Sequence, residues 1–142
     1  MSRDNDRNTF HMEHNTAGGD LDTKRSSFSC ERPSLITAVA FVGENPSNDD
    51  TDTVAIDVSY STDGFSSSDV EVAALAAAEF NDSDNDVGTL RTVIDVALTA
   101  AQIAGGTAGV RVPAGAVVEV TGTTTGASPD MRYAVSVEWI SL

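Results

Sequence analysis

In the sequence RYAVSVEWI, residues 132–140, an apolar side chain stands at every second position from 133 to 139. Ser136 and Glu138 share one side of an extended chain. Successive side chains of a β-strand point to opposite faces, so a period of two predicts a strand with one buried face. The apolar members that share this face are Tyr133, Val135, Val137 and Trp139.

Similar strand patterns recur along the chain from residue 35. LITAVAFV, residues 35–42, is almost continuously apolar, as expected for a strand that is covered on both faces. Turn sequences separate the strands, among them TDG at 62–64 and PAG at 113–115, and GTTTGASPD at 122–130 is predicted to be a loop. Short alternating segments separated by turn sequences predict an all-β fold, an antiparallel jelly-roll-like sandwich. The remaining predicted strands are TVAIDVSY (53–60), TLRTVIDVAL (89–98), VRV (110–112) and AVVEV (116–120).

Two segments carry mixed signals. SDVEVAALAAAEF, residues 68–80, has alanines and a capping-box spacing that favour a helix, but its alternating valines and acids favour a strand, which we predict. TAAQIAGG, residues 99–106, is predicted to form a short helical turn, with Thr99 as the N-cap and Gly105 beyond the last turn.

The chain divides by composition into residues 1–34 and residues 35–142. The first part is rich in polar side chains, and its few apolar residues show no sustained period. Such a segment buries too little surface to offset an ordering entropy of about 1–2 kcal/mol per residue. We therefore predict an extended N-terminal arm that lies along a partner chain, followed by a sandwich domain. The alternative is an arm that folds back on its own domain.

The charge of the chain is strongly negative. Its 22 acids and 8 Lys or Arg residues give a formal net charge of −14, and Lys24 is the single lysine. Nucleic-acid binding by the sandwich is not expected, because it requires clustered cations. Many aspartates, few lysines and small apolar side chains are typical of proteins from halophilic organisms, in which salt screens the repulsion between acids. The alternative is an ordinary acidic protein.

Cysteine content and hydropathy restrict the chemistry and location of the chain. Cys30 is the single cysteine, so no disulfide can form within the chain, and we predict a free thiol in a polar segment. Residues 1–20 lack the apolar segment of a signal peptide, and no run approaches the ~18 apolar residues of a membrane span. The sequence therefore predicts synthesis in the cytoplasm without a leader and without a membrane segment.

The segment NDSDNDVG, residues 81–88, is the candidate metal site. Asp82, Asp84 and Asp86 fit the first acidic positions of a calcium loop. Val87 stands where such a loop has glycine, and Val93 stands where it has its final glutamate. We interpret the segment as a solvated loop and keep a Ca²⁺ or other cation at the three aspartates as the alternative. No other cofactor is expected.

Polar and aromatic residues elsewhere offer no catalytic arrangement. His11 and His14 lie in the polar arm, where we expect contacts with solvent or a partner and not zinc ligation or base catalysis. Trp139 is the single tryptophan and is expected to anchor the core or an interface. The sequence therefore predicts a protein that is not an enzyme.

The C-terminal run VRVPAGAVVEVTGTTTG…YAVSVEWI, together with the polar arm, resembles the small β-sandwich or jelly-roll proteins of tailed virus particles. With the acidic bias, the resemblance is to such proteins from viruses of halophilic hosts. It implies a capsid-decorating, turret or tail component, located in the virion. It also implies a homo-oligomer, often a trimer, whose residues 1–34 contact a major capsid or tail protein. The alternative function is a carbohydrate- or host-surface-binding module on a similar sandwich.

Overall fold

The structure is a computed structural model that describes residues 7–15, 23–44, 53–67, 69–76, 92–99, 102–104, 106–126 and 132–142. Within these ranges the chain forms ten β-strands. They are β1 (Arg7–Asn15), β2 (Thr23–Cys30), β3 (Ser34–Glu44), β4 (Thr53–Ser61), β5 (Val70–Leu75), β6 (Thr92–Val96), β7 (Gln102–Ala104), β8 (Thr107–Val112), β9 (Ala116–Thr125) and β10 (Arg132–Ser141).

The strands form two antiparallel sheets. The first has the order β1-β10-β3, and the far edge of β3 is shared by β8, at Ser34–Ile36, and by β6, at Val39–Gly43. β7 continues this sheet beyond β8, and the second sheet has the order β2-β9-β4-β5. Without the β7–β8 hairpin, eight strands remain in the orders 1-10-3-6 and 2-9-4-5. This is a jelly roll, and it confirms the predicted all-β antiparallel sandwich.

The core lies between the sheets and consists mainly of small branched side chains. Alternate residues of each strand point inward, and burying one such side chain contributes about 1.5–3 kcal/mol. The first sheet contributes Met12, Ile36, Val39, Phe41, Val96, Val110, Val112, Tyr133, Val135 and Val137. The second sheet contributes Cys30, Val54, Ile56, Val58, Val72, Ala73, Leu75, Ala116, Val118 and Val120.

Strand β3 is covered on both faces at its first end, as predicted for LITAVAFV. Leu35 is fully buried but lies outside the core cluster, and it faces away from the second sheet. Its side chain lies against β8, where a Cβ on Gly109 would be 2.7 Å from Leu35 Cγ. Further along β3, Ala38 and Ala40 on the outer face are half-buried. One face of the apolar run thus packs in the core, and the other face makes a smaller contact with β8.

Residues 1–34 differ from the predicted arm. Strand β1 pairs with β10 along its whole length, and β2 pairs with β9 in the other sheet. Met12 and Cys30 are both 2% exposed and belong to the core. The described part of the segment is therefore ordered by its own sandwich, and Cys30 is a buried thiol and not one in polar surroundings. Backbone pairing with a neighbouring strand orders a polar segment that has too few apolar residues to fold alone.

Three predictions of local structure have different outcomes. The strand prediction for residues 68–80 is confirmed over Val70–Leu75. The helical turn predicted for residues 99–106 is wrong, because Gln102–Ala104 and the start of β8 form a hairpin. Gly106 has a φ of 84°, which suits a tight hairpin turn and not a helix. The loop predicted to begin at residue 122 begins later, because β9 continues to Thr125 through pairing with β4.

In the part of the chain that the structure describes, no helix has the length and apolar character needed to cross a membrane.

Candidate functional site on the open side of the sandwich

The two lateral sides of the sandwich differ in how they are closed. On one side the sheets are joined, since Ala73 of β5 forms a bridge with Leu98, just after β6, and the Thr99 amide donates to the Val72 carbonyl at 2.8 Å. We call this the closed side. On the other side β1 and β2 end their sheets with no strand pairing along their outer edges in the described structure. We call this the open side.

A stack of three aromatic rings joins the sheets at the open side. Phe28 of β2 lies between Phe10 of β1 and Trp139 of β10. Its ring centroid is 4.8 Å from that of Phe10 and 4.3 Å from that of Trp139. All three side chains are partly buried and pack against the core. The stack confirms Trp139 as a core anchor and supplies the contact between sheets that backbone bonds do not provide here.

A groove of about 630 Å³ lies at the end of the first sheet next to the open side. Its floor and walls come from the end of β1, the start of β10 and the neighbouring part of β3. Six of the nine residues that line it carry polar or titratable side chains. They are His11, Glu13, His14, Asn15, Arg132 and Tyr133.

The exposed imidazole of His11 uses both of its nitrogens in hydrogen bonds. Nε2 lies 3.0 Å from Glu13 Oε1, and Nδ1 lies 2.9 Å from Ser136 Oγ. A carboxylate only accepts, so in the neutral ring Nε2–H donates to Glu13 and Nδ1 accepts from the Ser136 hydroxyl. With the side chains 50% and 77% exposed, the ion pair formed on protonation contributes at most about 1 kcal/mol. This pairing orients the ring.

Tyr133 fixes the floor of the groove to the opposite sheet. Its ring is 6.0 Å from that of Phe41 and meets the ring of His14 edge-on at 5.7 Å. Its hydroxyl reaches β9, where a Cβ on Gly122 would be only 2.2 Å from the Tyr133 oxygen. The absence of a side chain at residue 122 therefore lets the tyrosine cross the interior.

A tight turn between β4 and β5 has its own hydrogen-bond network. The Asp63 carboxylate accepts from the hydroxyls of Ser61 and Ser67 and from the amides of Ser66 and Ser67. These bonds, with that of the Ser61 hydroxyl first, hold the pKa of Asp63 well below its usual range. Phe65 follows in a left-handed conformation with a φ of 62°, which the Ser61 hydroxyl supports by accepting from its amide. These hydrogen bonds hold the turn in a single backbone conformation.

Burial determines the protonation state of Cys30. The pKa of the Cys30 thiol is raised by burial, and a hydrogen bond with Ser34 opposes that rise. The thiol is free and buried in the core. A raised pKa keeps the group protonated, so the nucleophilic thiolate is scarce.

The predicted site residues have separate outcomes. Asp82, Asp84 and Asp86 lie outside the described residues, so the cation alternative stays a prediction. His11 and His14 are brought together with Glu13 in the groove. Among the described residues no three His, Cys, Asp or Glu side chains form a group suited to a metal ion.

The sequence interpretation missed the open side, although a signal was present. In β2, Phe28 and Cys30 point inward two residues apart, and in β1 Phe10, Met12 and His14 do the same. Serine, lysine and histidine also occupy inward positions, so a search for strictly apolar alternation does not detect these strands. Testing residues 1–34 for period two with polar residues allowed on the inner face would have revealed both strands.

Comparisons with known proteins give likenesses of fold. No family model matches the sequence, and no curated protein sequence matches it either. Among solved structures, the infectious bursal disease virus Gt strain matches 94% of this chain and 31% of that chain, at 10% identity and a TM-score of 0.42. The chain thus spans under a third of that protein.

Two further solved structures are matched over most of their own length. The extra small virus of the giant freshwater prawn Macrobrachium rosenbergii matches 96% of this chain and 79% of that chain, at 11% identity and a TM-score of 0.32. Desmodium yellow mottle tymovirus matches 95% and 86%, at 8% identity and a TM-score of 0.35. At these identities the likeness concerns the fold.

Proposed function

We propose that the chain is a non-enzymatic structural component of a virus particle, with the finer role of a capsid-decorating, turret or tail protein. The observation that carries the proposal is the strand order of the two sheets, 1-10-3-6 and 2-9-4-5. Jelly rolls of this order serve in viral capsids, in lectins and in cupins. The step from topology to role is an analogy of fold, and the interior of the sandwich argues against one of the three uses.

The interior of the sandwich supports a structural role over a cupin-like one. A cupin-like site needs an interior cavity lined by polar ligands. Here the inward positions carry packed apolar side chains, of which Phe41, Val58 and Val118 are fully buried. The space between the described strands is thus occupied by core.

The open side is the part of the fold that we assign to contacts with other virion proteins. Strands β1 and β2 come from residues 1–34 and present their outer edges there. Edge strands offer backbone donors and acceptors to another chain, and proteins commonly protect them with charge. We propose that residues 1–34 contact a major capsid or tail protein through these edges while remaining part of the sandwich.

The acidic surface supports a halophilic host as part of the proposal. The net charge is −14, and the described acids Glu13, Glu31, Glu71 and Glu138 are all exposed. High salt shortens the Debye length to about 3 Å at 1 M and screens their repulsion. We propose that the particle to which the chain belongs is assembled in strong salt.

Mass spectrometry of purified particles tests the proposed role. Particles from the host that produces the chain are banded on a density gradient and digested, and the chain is quantified against the most abundant shell protein. We expect the chain to band with the particles in a fixed ratio that a high-salt wash preserves. A chain that stays in the soluble fractions would contradict the role.

The groove supports a second candidate function, a carbohydrate- or host-surface-binding module. Its lining combines Asn15, Arg132 and Tyr133, which offer amide and guanidinium donors beside an aromatic ring. A glycan array followed by titration calorimetry tests it. The test variant is Asn15→Ala, which should lower affinity about tenfold if the groove holds a sugar. Binding that Asn15→Ala leaves unchanged would contradict this function of the groove.

A further inference from the structure

We propose that copies of this chain associate head to tail, with the open side of one copy against the closed side of the next. The proposal rests on the structural role proposed above and names the partner, which is a second copy. It is carried by a difference in charge between the two lateral sides of the sandwich.

In the described strands of the open side, bases outnumber acids. Strands β1 and β2 carry three bases and one acid. Arg7 and Arg25 are exposed, and Lys24 is half-buried with its neighbours on β9. The acid, Glu13, lies at the groove end and is hydrogen-bonded to His11. In a chain with a net charge of −14, this concentration of positive charge is a local exception.

The closed side is acidic. Residues 69–76 and 92–99 carry three exposed acids and no base. Asp69 and Glu71 flank Val70, which is 47% exposed and is one of two large hydrophobic side chains exposed in the described part of the chain. The third acid, Asp95, lies on the neighbouring strand β6. The closed side thus carries an exposed apolar side chain and exposed carboxylates, a composition that suits the polar rim of an interface.

The two sides complement each other between copies and cannot meet within one copy. They lie at opposite ends of both sheets, since β1 and β2 form one side, and β5 with the β6, β8 and β7 edge of the first sheet forms the other. A contact between two open sides would set bases against bases, and a contact between two closed sides would set acids against acids. Only the head-to-tail contact sets bases against acids. Such a contact is heterologous, and it builds rings or extended arrays, as a shell or tail requires.

Carbodiimide cross-linking tests the geometry directly, because Lys24 is the single lysine and lies on the open side. The reagent joins an amine to a carboxylate in direct contact. Copies labelled with ¹⁵N are mixed with unlabelled copies, so that links between copies appear as mixed-isotope peptides. We expect mixed-isotope links from Lys24 to Asp69 or Glu71. The matched control is Lys24→Arg, which keeps the charge and should lose these links.

Charge reversal tests the energetics in solution. Sedimentation is measured at the lowest salt concentration at which circular dichroism shows the chain folded. Arg7→Glu with Arg25→Glu, and separately Asp69→Lys with Glu71→Lys, should each weaken self-association about tenfold or more. A mixture of the two variants should associate again, because each supplies the charge that the other lacks. The control Glu138→Lys changes an exposed charge of β10, outside both sides, and should leave association near that of the original chain.

Several outcomes would overturn the proposal. They are links between Lys24 and Glu13 of another copy in place of those expected, variants that associate as well as the original chain, or a chain that remains monomeric at millimolar concentration. If a reversed variant does not fold, the neutral pair Arg7→Gln and Arg25→Gln replaces it. Failure here leaves the virion role to the particle measurement, which does not depend on how copies meet.

Discussion

The hydroxyl of Tyr133 occupies the space that a side chain at residue 122 would need. A Cβ built on Gly122 lies 2.2 Å from the Tyr133 oxygen and 2.7 Å from its Cζ. Tyr133 belongs to one sheet and Gly122 to the other. The pair therefore fixes the spacing of the two sheets beneath the groove, and packing at this point tolerates no added atom without movement of the ring.

Gly122→Ala should lower the free energy of unfolding by about 1–3 kcal/mol, the usual cost of overpacking a core. Urea unfolding followed by circular dichroism measures it. The double variant Gly122→Ala, Tyr133→Phe removes the closest atom and should show a positive coupling between the sites. The matched control, Thr121→Ala, lies one residue away and half-buried. Additive effects of the two substitutions would contradict the close approach.

Phe28→Ala should open the aromatic stack and lower the free energy of unfolding by about 2–4 kcal/mol, since it removes two ring contacts as well as buried area. Trp139 is the single tryptophan, so its fluorescence reports on the stack alone. We expect its emission to shift to longer wavelength as water reaches the indole. Ser27→Ala, an exposed position on the same strand, is the control. Unchanged emission from Phe28→Ala would place Trp139 elsewhere.

Asp63→Asn should destabilise the β4–β5 turn in a pH-dependent way. The folded pKa of Asp63 is depressed below its unfolded value, which is about 3.9. The carboxylate thus stabilises the folded state fully above that value, and this contribution is lost as the pH falls below it. The variant should differ from the original chain at pH 7, begin to approach it as the pH falls below about 4, and match it only once the pH has fallen through the depressed folded pKa.

Hydrogen exchange of the Ser66 and Ser67 amides, both of which donate to Asp63, measures the opening of the turn. The control is Asp69→Asn, an exposed acid near the same turn. A difference between Asp63→Asn and the original chain that is independent of pH would contradict the assigned role.

Deleting residues 2–32 should abolish cooperative folding. The deletion removes β1 and β2, exposes the new edges of β10 and β9, and takes Met12 and Cys30 from the core. Loss of the thermal transition in circular dichroism is the expected result. Deleting residues 2–6, which precede β1, is the control and should retain it. A deletion variant that melts like the full chain would restore the division into an arm and an independent domain at residue 34.

Lowering the salt concentration from about 1 M to about 0.1 M should lower the melting temperature. The net charge of −14 repels itself more strongly as the Debye length grows from about 3 Å to about 10 Å. Differential scanning fluorimetry in a series of NaCl concentrations measures the effect. The same series in sucrose separates charge screening from general stabilisation of the folded state. A melting temperature independent of salt would contradict the halophilic proposal.

The sequence predicted the parts of this fold in which apolar residues alternate without interruption. Val135 and Val137 in β10 and Ile56 and Val58 in β4 identify their inner faces directly. It did not predict β1 and β2, because both segments are ordered by backbone pairing with other strands. For β1 the partner, β10, lies more than a hundred residues away in the sequence. It also misassigned residues 99–106. Alanine and glutamine favour a helix locally, but the positive φ of Gly106 and the pairing with β8 produce a hairpin.

The candidate site was the less predictable part. His11 and His14 were identified as polar residues of an arm, but their place beside Arg132 depends on the pairing of β1 with β10. The charge difference between the sides likewise depends on which strands end each sheet. Both properties depend on tertiary structure. Local sequence patterns do not indicate that Arg25 and Glu71 lie on opposite sides of one sandwich.

Immunogold electron microscopy of intact particles tests the central claim, the structural role in a virion, most directly. An antibody against the folded chain is applied to particles purified from the host in high salt, with pre-immune serum as the control. The account predicts gold particles at regular positions on the head, neck or tail of most particles. Unlabelled particles, in preparations where the same antibody detects the chain in the soluble fraction, would contradict it.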